Sequence, residues 1–499
     1  MEAEDEDVVS GSVVSLEEEL ALIRASGYWW RSGQEERKTS GELTFSHDEE
    51  GATLRLFGSP ESCEGFNGFV RGWIHPTRNV TLLHCQEYRR NTSSGFGLRT
   101  ETAELGFIEA WIGDIGFDSV SDIAFESYSF GITNLSAWID RGCFHRKSKD
   151  GETGDAVKIE LHRLIFEDGL VRVYLAFIPV RSLLKGSRGQ GFHRYEPSLV
   201  IKSKVGRLPF YGETGSFEYY ENRLTAFFGL LIGKNSSRYG RCGMAEYQLS
   251  EADKDQGVVW RLNRRPLSRK LLEPLERGRV FVPYASIEEG LPDVIENFFK
   301  LNDEVSSICG RLVYFRSRQE SIPYGGVPEL VFMFEGLARN LYDGDWRQVR
   351  EQLPGYHEHV ANIAKVNGFL KSDAALLGWL TRRLQFKPVK IQELFDFARM
   401  QMAEAFFELE DESAWMAFTR YLRARRDGFA HSESKICGHD DMNLAAYFWL
   451  ESFMMGMVLL KCGVPAQCIR QGVARLPDFR WGVETYCDEF CKKDIGANK

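Results

Sequence analysis

Residues 413–435 read SAWMAFTRYLRARRDGFAHSESK, and residues 444–460 read LAAYFWLESFMMGMVLL. The first stretch repeats apolar residues at helical spacing with basic residues between them, which predicts an amphipathic helix over residues 413–434. The second stretch is apolar on every side and predicts a core helix over residues 441–460. A helix with an apolar face to cover, followed by an apolar helix, indicates that the C-terminal part of the chain is a helical bundle.

The apolar stretch 444–460 is also long enough to resemble a membrane span. Glu451 and Ser452 lie in its middle, and the helix before it needs an apolar partner. We therefore predict a buried core helix and no membrane contact. The chain starts with MEAEDED, whereas a secretory signal starts with basic residues and an apolar run, so we expect a cytoplasmic protein.

Outward from these two helices, the rest of the C-terminal sequence is also helical in pattern. Further helical spacing occurs at 329–341, 363–370, 373–384, 391–408 and 468–473. We predict an all-α helical bundle over residues 329–499. A linker is predicted before it at 321–328, where the sequence SIPYGGVP combines prolines and glycines that break regular structure.

Upstream, short stretches alternate apolar and polar residues, which is the pattern of half-buried β-strands. Turns rich in Gly, Asp, Asn and Ser separate them, with no helix between. The stretches lie at 41–45, 52–57, 79–87, 157–166 and 170–177. Residues 27–206 are therefore predicted to form a mainly antiparallel β sandwich or barrel.

Two further regions complete the predicted domain order. Residues 1–26 are expected to form an acidic tail with a short helix at 16–24. Residues 207–320 are expected to form a mixed α/β subdomain with helices at 223–232 and 291–308. The sequence thus predicts an α+β multidomain protein.

The composition limits the classes of function. Hydrophobic residues make up 43% of the 499 residues, which is enough for folded cores. The formal net charge of -10 argues against a protein that coats nucleic acid non-specifically, because such proteins are usually basic. It does not exclude a nuclease, which needs positive charge only around its cleft.

The ten cysteines are scattered and do not resemble a disulfide framework. Cys487 and Cys491 lie four residues apart, and Cys437 lies two residues from His439. A second pair at matching spacing, which a zinc site needs, is missing from the sequence. We therefore expect reduced thiols, no bound metal and no cofactor.

Residues 426–431, RDGFAH, place an Arg and an acidic residue shortly before a His. Similar spacings occur at 78–84, 188–193 and 350–357. The segment 78–84 lies in a predicted strand, where its Arg and His would share a face of the sheet. The segment 188–193 lies in a Gly-rich loop, and the segment 350–357 is interrupted by a Pro-Gly pair. Only the segment 426–431 lies on a long amphipathic helix followed by an apolar helix. In this it resembles the motif of HEPN ribonucleases, an Arg and a His separated by a few residues, and the resemblance implies that Arg426 and His431 are the catalytic pair.

These residue types suit the cleavage of RNA without a metal. The 2′-hydroxyl of RNA attacks the adjacent phosphate, and a side chain such as His431 transfers protons near neutral pH. Arg426 stays charged and stabilises the phosphorane. Asp427 precedes His431 by four residues, so on a helix it faces the same side and is expected to accept a hydrogen bond that sets the His tautomer.

The spacing also raises a geometric question. Five residues on an ideal helix turn through roughly 500°, so Arg426 and His431 point about 140° apart. A bend at Gly428 offers one solution. A dimer that shares the site across a two-fold axis offers a simpler one.

A local basic stretch surrounds the pair in this acidic protein. Any one of its members alone is best explained as part of a solvated helix face. As a group they are predicted to bind RNA phosphates. The residues are Arg420, Arg423, Arg425 and Lys435.

The N-terminal sequence adds a second pattern: GYWW at 27–30, GELTF at 41–45 and ATLRLFG at 52–58. With RDGFAH, and with Glu335 and Arg339 on the first helix of the bundle, these segments make the chain resemble ApeA-like anti-phage proteins. That family joins this N-terminal domain to a C-terminal HEPN ribonuclease domain.

The resemblance implies that the helical domain is a HEPN bundle that forms a homodimer and pairs its two motifs. It also implies abortive infection, in which a quiet ribonuclease toxin is released by infection and cleaves cellular RNA, with transfer RNA as one candidate. The N-terminal domain would then sense a phage-derived trigger or restrain the nuclease. We expect Trp29-Trp30 to fill the sheet core and not to form a ligand platform.

Two other functions stay open. In one, the protein is a non-catalytic sensor or scaffold whose helical bundle serves only for dimerisation. In the other, it is a metal-dependent hydrolase that uses Cys and His residues, which EDTA sensitivity and bound zinc would reveal. The sequence shows no P-loop and no Gly-x-Ser-x-Gly elbow, which argues against kinases, ATPases and esterases.

Overall fold

The structure is a computed structural model. Its residues fall into two compact units, 1–277 and 278–499. Where the chain is described, the first unit is built mainly of antiparallel sheet and the second of helices, which confirms the α+β class. The described residues are 23–45, 52–59, 64–75, 78–95, 98–139, 162–179, 195–233, 238–239, 259–263, 279–317, 326–341, 390–406, 409, 411–430 and 441–491.

The strands of the first unit are β1 (Ile23–Arg31), β2 (Thr39–Phe45), β3 (Ala52–Gly58), β4 (Gly68–Ile74), β5 (Arg78–Gly95), β6 (Leu98–Gly106), β7 (Glu109–Gly113), β8 (Ala124–Phe125), β9 (Ser127–Ile132), β10 (His162–Glu167), β11 (Val171–Pro179), β12 (Tyr195–Ser203), β13 (Leu208–Pro209), β14 (Arg238–Tyr239) and β15 (Val259–Asn263). Its helices are α1 (Leu135–Ile139) and α2 (Phe217–Ile232).

The larger sheet is antiparallel, with the strand order β15-β7-β5-β4-β1-β2-β3-β6. The long strand β5 pairs with β4 and β7 along its first half and with β6 along its second half. The β5–β6 pairing joins the two ends of the run β5-β4-β1-β2-β3-β6, so this part of the sheet closes into a barrel. A second antiparallel sheet has the order β10-β11-β12-β9-β14.

Apolar side chains fill the larger sheet on one face. Burial alternates along β2 from Thr39 to Phe45, as expected for a strand with one face in a core. Trp29 is fully buried there. Gly72 of β4 and Gly41 of β2 lie against its indole, and a Cβ added at Gly41 would be 2.8 Å from a ring carbon. The expectation that this tryptophan fills the sheet core is confirmed.

A buried charge cluster joins β7, β15 and α2. Arg261 donates to Glu109 at 2.7 Å and to Glu221 at 2.8 Å, and Tyr128 donates to Glu221 at 2.9 Å. All four residues are buried. Each charge therefore keeps hydrogen-bonding partners in place of water.

The N-terminal segment differs from the prediction in one respect. A helix was expected at 16–24, but Ile23 and Arg24 belong to β1, where they pair with Phe45 and Thr44 of β2. The remainder of that predicted helix lies outside the described residues. Pairing with a neighbouring strand satisfies the backbone here, and local helical spacing does not reveal such a partner.

The helices of the second unit are α3 (Leu291–Lys300), α4 (Asp303–Ser317), α5 (Gly326–Leu341), α6 (Ile391–Met402), α7 (Glu412–Ala430), α8 (Asp441–Lys461), α9 (Ala466–Arg475) and α10 (Pro477–Tyr486). The predicted helices at 329–341, 391–408, 441–460 and 468–473 are found with shifted ends, and the one at 413–434 is found as far as the described residues extend, to Ala430. Those at 363–370 and 373–384 lie outside the described residues.

The single helix predicted at 291–308 is instead two helices. Leu301 has extended dihedral angles and ends α3. The side chain of Asn302 accepts a hydrogen bond from the backbone N–H of Val305 at 2.9 Å, so it caps the start of α4. Apolar spacing continues across this break, which is why periodicity alone did not show it.

The division of the chain into compact units also differs from the predicted domain boundaries. The division lies between Arg277 and Gly278, whereas the prediction placed a mixed subdomain at 207–320 and a linker at 321–328. Residues 321–325 lie outside the described residues, and Gly326 to Pro328 form the first turn of α5. A proline is tolerated there because the first turn needs no N–H donor.

Helices α3 and α4 belong to the second unit because they contact its C-terminal helices. Asn297 of α3 donates to the backbone carbonyl of Cys462 at 3.1 Å. Arg316 of α4 forms a buried ion pair with Glu451 of α8 and lies 4.1 Å from the ring centre of Phe479. These contacts place α3 and α4 in the same core as the helices that follow.

Helix α8 is the one described helix that is long and apolar enough to cross a membrane, but 78% of its apolar window is buried inside the protein. Glu451 is 1% exposed and pairs with Arg316. Ser452 donates to the carbonyl of Trp449 at 2.8 Å. Glu451 and Ser452 thus each have a hydrogen-bonding partner inside the unit, while Oε1 of Glu451 is buried with none among the described residues, and the prediction of a core helix is confirmed.

Candidate active site

Aromatic packing sets the positions of α5, α6, α7 and α8. Phe334 of α5 stacks on Phe395 of α6 with ring centres 4.2 Å apart, and Phe395 meets Trp415 of α7 at 6.0 Å. Trp415 in turn lies 5.6 Å from Trp449 of α8. These contacts bury the apolar sides of α5 and α7, so polar residues of the two helices meet near the surface.

Arg426 of α7 lies at this meeting point with its side chain 26% exposed. Its Nη2 donates to Oε2 of Glu335 on α5 at 2.9 Å, and its Nη1 donates to Oδ1 of Asp427 at 3.2 Å. Arg339 donates to the other oxygen of Glu335 at 2.7 Å. Glu335 therefore bridges two guanidinium groups and holds Arg426 against α5.

An aromatic ring completes the surroundings of Arg426. The guanidinium carbon lies 5.2 Å from the ring centre of Phe332 on α5, within the range of a cation–π contact. Phe332 is 42% exposed. Phe332 was not among the residues predicted for the site. The sequence feature that could have indicated Phe332 is its position outside the apolar stripe of α5, which runs through Phe334 and Leu337.

The charges around Arg426 are nearly balanced. Two guanidinium groups, of Arg426 and Arg339, face two carboxylates, of Glu335 and Asp427. The two hydrogen bonds of Arg426 use two of the five N–H donors that a guanidinium carries. A phosphate that approaches Arg426 would therefore bind the remaining donors or compete with a carboxylate.

Asp427 is bound to Arg426, and its side chain is 56% exposed. His431 lies outside the described residues, so the predicted hydrogen bond between Asp427 and His431 stays a prediction. Helix α7 continues without a break through Gly428 up to Ala430.

The structure separates the predicted RNA-binding residues. Arg423 donates to Oε1 of Gln392 on α6 at 3.2 Å and lies about 60° from Arg426 around the helix. Arg425 lies about 100° from Arg426, over the ring of Tyr421 at 5.1 Å.

Arg423 thus shares a side of α7 with Arg426, whereas Arg425 is turned away. Arg420, one turn before Arg423, is exposed. Lys435 lies outside the described residues.

Cysteine chemistry receives little support from the described residues. Among the described residues, Cys85, Cys309, Cys462, Cys468 and Cys487 are free thiols. Burial raises the pKa of Cys85 and of Cys462 to about 12, so both stay protonated and unreactive at neutral pH. Within the described ranges, no three His, Cys, Asp or Glu residues are grouped as metal ligands.

The comparison with protein families gives a match over residues 24–298, to the model described as ApeA N-terminal domain 1. The matched region contains the barrel, the second sheet, α2 and most of α3, and it ends before α5 and α7. No curated protein and no solved structure matches the chain. Because the match covers more than half of its length, the chain belongs to the ApeA family, and this membership indicates a role in anti-phage defence.

Proposed function

We propose that the protein is a metal-independent endoribonuclease that acts as an abortive-infection toxin, with its active site in the helical unit. One observation carries the proposal. The partly exposed guanidinium of Arg426 on α7 is held against α5 by Glu335. Arg426 lies five residues before His431 in the sequence. A positioned cation and a histidine are the groups that metal-free RNA cleavage uses.

In the proposed reaction the 2′-oxygen of RNA bonds to the adjacent phosphorus while His431 takes the hydroxyl proton. Arg426 stabilises the added negative charge of the phosphorane. The bond from phosphorus to the 5′-oxygen then breaks, and a protonated histidine returns a proton to that oxygen. The products are a 2′,3′-cyclic phosphate and a 5′-hydroxyl. In a homodimer formed through the helical units, the second copy of the motif supplies the acid.

The proposal includes partners and place of action. The substrate is cellular RNA in the cytoplasm, with transfer RNA as one candidate, and the reaction uses no metal or cofactor. The N-terminal unit responds to a phage-derived trigger. Its family membership supports the defence role.

The test is to express the wild type, Arg426→Ala and His431→Ala in bacteria, to challenge each with phage, and to sequence the RNA ends. Arg480→Ala is the matched control, because Arg480 is an exposed arginine of the same unit whose ion pair with Glu484 is long, at 3.7 Å. We expect the wild type and the control to protect and to yield new 2′,3′-cyclic phosphate ends, and the two site variants to do neither.

If the site variants protect as well as the wild type, the ribonuclease proposal is wrong. The second candidate, a non-catalytic sensor or scaffold, would then lead. One observation favours it: Glu335 and Asp427 together neutralise Arg426, as they would in a purely structural ion pair. That function predicts protection by the Arg426→Ala variant without any new RNA ends.

A further inference from the structure

Two exposed phenylalanines occur near Arg426, one in contact with it on α5 and one three residues later on α7. Phe332 on α5 is 42% exposed, and Phe429 on α7 is 39% exposed. By contrast, Phe334, two residues along α5, is fully buried. A single exposed aromatic residue is common on a protein surface, but Phe332 also contacts a guanidinium with free N–H donors, which is a combination that can bind a flat anionic group.

The ring of Phe332 and the cation of Arg426 are in direct contact. The guanidinium of Arg426 covers Phe332 at 5.2 Å, which leaves the rest of that ring open to solvent. Phe429 follows Arg426 by three residues and so lies about 60° from it around α7. A flat group that stacks on Phe332 would therefore lie next to Arg426.

The local charge suits a phosphate. Arg423 lies one turn before Arg426 on α7, and Arg339 lies one turn after Glu335 on α5. The ion pairs of Arg426 and Arg339 with Glu335 and Asp427 are balanced, and Arg423, which donates to the uncharged side chain of Gln392, adds one positive charge on this side of α7. A polyanion whose flat groups alternate with phosphates meets both requirements, the ring and the charge.

We propose that Phe332 is a stacking platform for a nucleobase beside the phosphate that is cleaved, which requires that base to be unpaired. The inference rests on the proposed ribonuclease function. In an A-form duplex the bases are stacked and paired, whereas an unpaired base can leave the stack and bind an aromatic side chain. When a base leaves the stack, its backbone is also free to bring the 2′-oxygen in line with the leaving 5′-oxygen.

The experiment measures RNA binding by the full-length His431→Ala protein, which binds without cleaving. Two probes are used: a short single-stranded RNA of mixed sequence that contains 2-aminopurine, and the duplex form of the same RNA. The fluorescence of 2-aminopurine falls when the base stacks on an aromatic ring. In this background Phe332→Leu retains an apolar contact with Arg426 but removes the aromatic face, and Phe332→Trp retains the face. Tyr314→Ala is the matched control, since Tyr314 on α4 is an exposed aromatic residue at 45%.

We expect the parent to bind single-stranded RNA more tightly than duplex and to quench the probe. Phe332→Leu should weaken binding by about 10-fold and remove the quenching, as loss of one base–aromatic stack predicts. Phe332→Trp and Tyr314→Ala should bind like the parent. Unchanged melting temperatures would show that the variants are folded.

Three results would overturn the inference. Equal binding by Phe332→Leu and the parent would show that the ring does not stack on RNA. Equal binding of the single-stranded and duplex probes would remove the proposed selectivity. A change of sedimentation in Phe332→Leu with unchanged RNA affinity would show that a second copy of the chain occupies this surface. A parent protein that binds neither RNA would overturn the ribonuclease proposal itself.

Discussion

At the scale of single residues, the packing of Trp29 depends on two glycines. Gly72 pairs with Trp29 across β1 and β4, and a Cβ at Gly72 would overlap the indole. Because the ring is fully buried and Gly41 lies on another side of it, the ring has no room to move. We expect Gly72→Ala to lower the free energy of unfolding by about 1–3 kcal/mol, measured by urea denaturation.

The control is Gly169→Ala, because Gly169 has no atom within 4 Å of an added Cβ. That variant should unfold at nearly the same urea concentration as the wild type. If both variants are equally stable, Trp29 has more freedom in the barrel than its packing indicates.

Glu335 is the residue that decides the position of Arg426. The Glu335→Gln variant keeps the shape but loses the charge that binds Arg426 and Arg339. We expect stability to fall by only about 0.2–1 kcal/mol, as for a partly exposed ion pair. RNA cleavage should slow by about 10-fold or more, because the guanidinium is no longer held in position.

The matched control is Glu296→Gln, which breaks an exposed ion pair with Lys300 on α3. Cleavage rates of the purified proteins, measured with their melting temperatures, separate the two effects. Cleavage by Glu335→Gln at the rate of Glu296→Gln would mean that Arg426 needs no support from α5.

At the scale of elements, one buried ion pair fastens α4 to α8. Arg316 and Glu451 are 5% and 1% exposed, and Asp478 of α10 lies 3.6 Å from the same arginine. We expect Glu451→Gln to destabilise the protein by about 3–5 kcal/mol, because it leaves a buried arginine without its main partner. Urea denaturation measures the loss.

The double variant Arg316→Met, Glu451→Met should recover most of that stability, since two apolar side chains replace two buried charges. Glu484→Gln, in an exposed pair with Arg480, serves as the control and should change little. If the double variant is as unstable as Glu451→Gln, the attraction between Arg316 and Glu451 exceeds the cost of removing both charges from water.

Sequence patterns located elements well where a long apolar stripe existed. The helices around Phe334 and Trp449 were predicted because their apolar residues repeat over several turns. The break at Asn302 was missed, because one capping side chain interrupts a helix without changing the apolar spacing. The strand at Ile23 and Arg24 was mistaken for a helix end, because strand pairing depends on residues far along the chain.

At the scale of the whole molecule, the second compact unit begins at Gly278, ahead of α3. A fragment of residues 278–499 should therefore fold by itself and unfold cooperatively. A fragment of residues 329–499, the helical domain expected from sequence, lacks α3 and α4. It exposes the core that Phe298 helps to fill and leaves Glu451 without Arg316.

Circular dichroism during heating checks this prediction. We expect a sharp transition for the longer fragment, and a broad transition or aggregation for the shorter one. Equal melting temperatures would show that α3 and α4 contribute little to the unit, and that the boundary expected from sequence is adequate.

The sequence by itself determined the α+β class, the antiparallel β-rich N-terminal half, the buried core helix α8, and the position of Arg426 on an amphipathic helix. Each of these follows from local spacing of apolar residues. Only the tertiary structure placed Glu335 and Phe332 beside Arg426, and Arg316 beside Glu451, at sequence separations of 91 residues for Glu335–Arg426 and 135 for Arg316–Glu451. Such pairs depend on how far each helix is rotated about its axis relative to its neighbour. Side-chain packing between the helices sets that rotation, and the spacing of apolar residues along a single helix does not encode it.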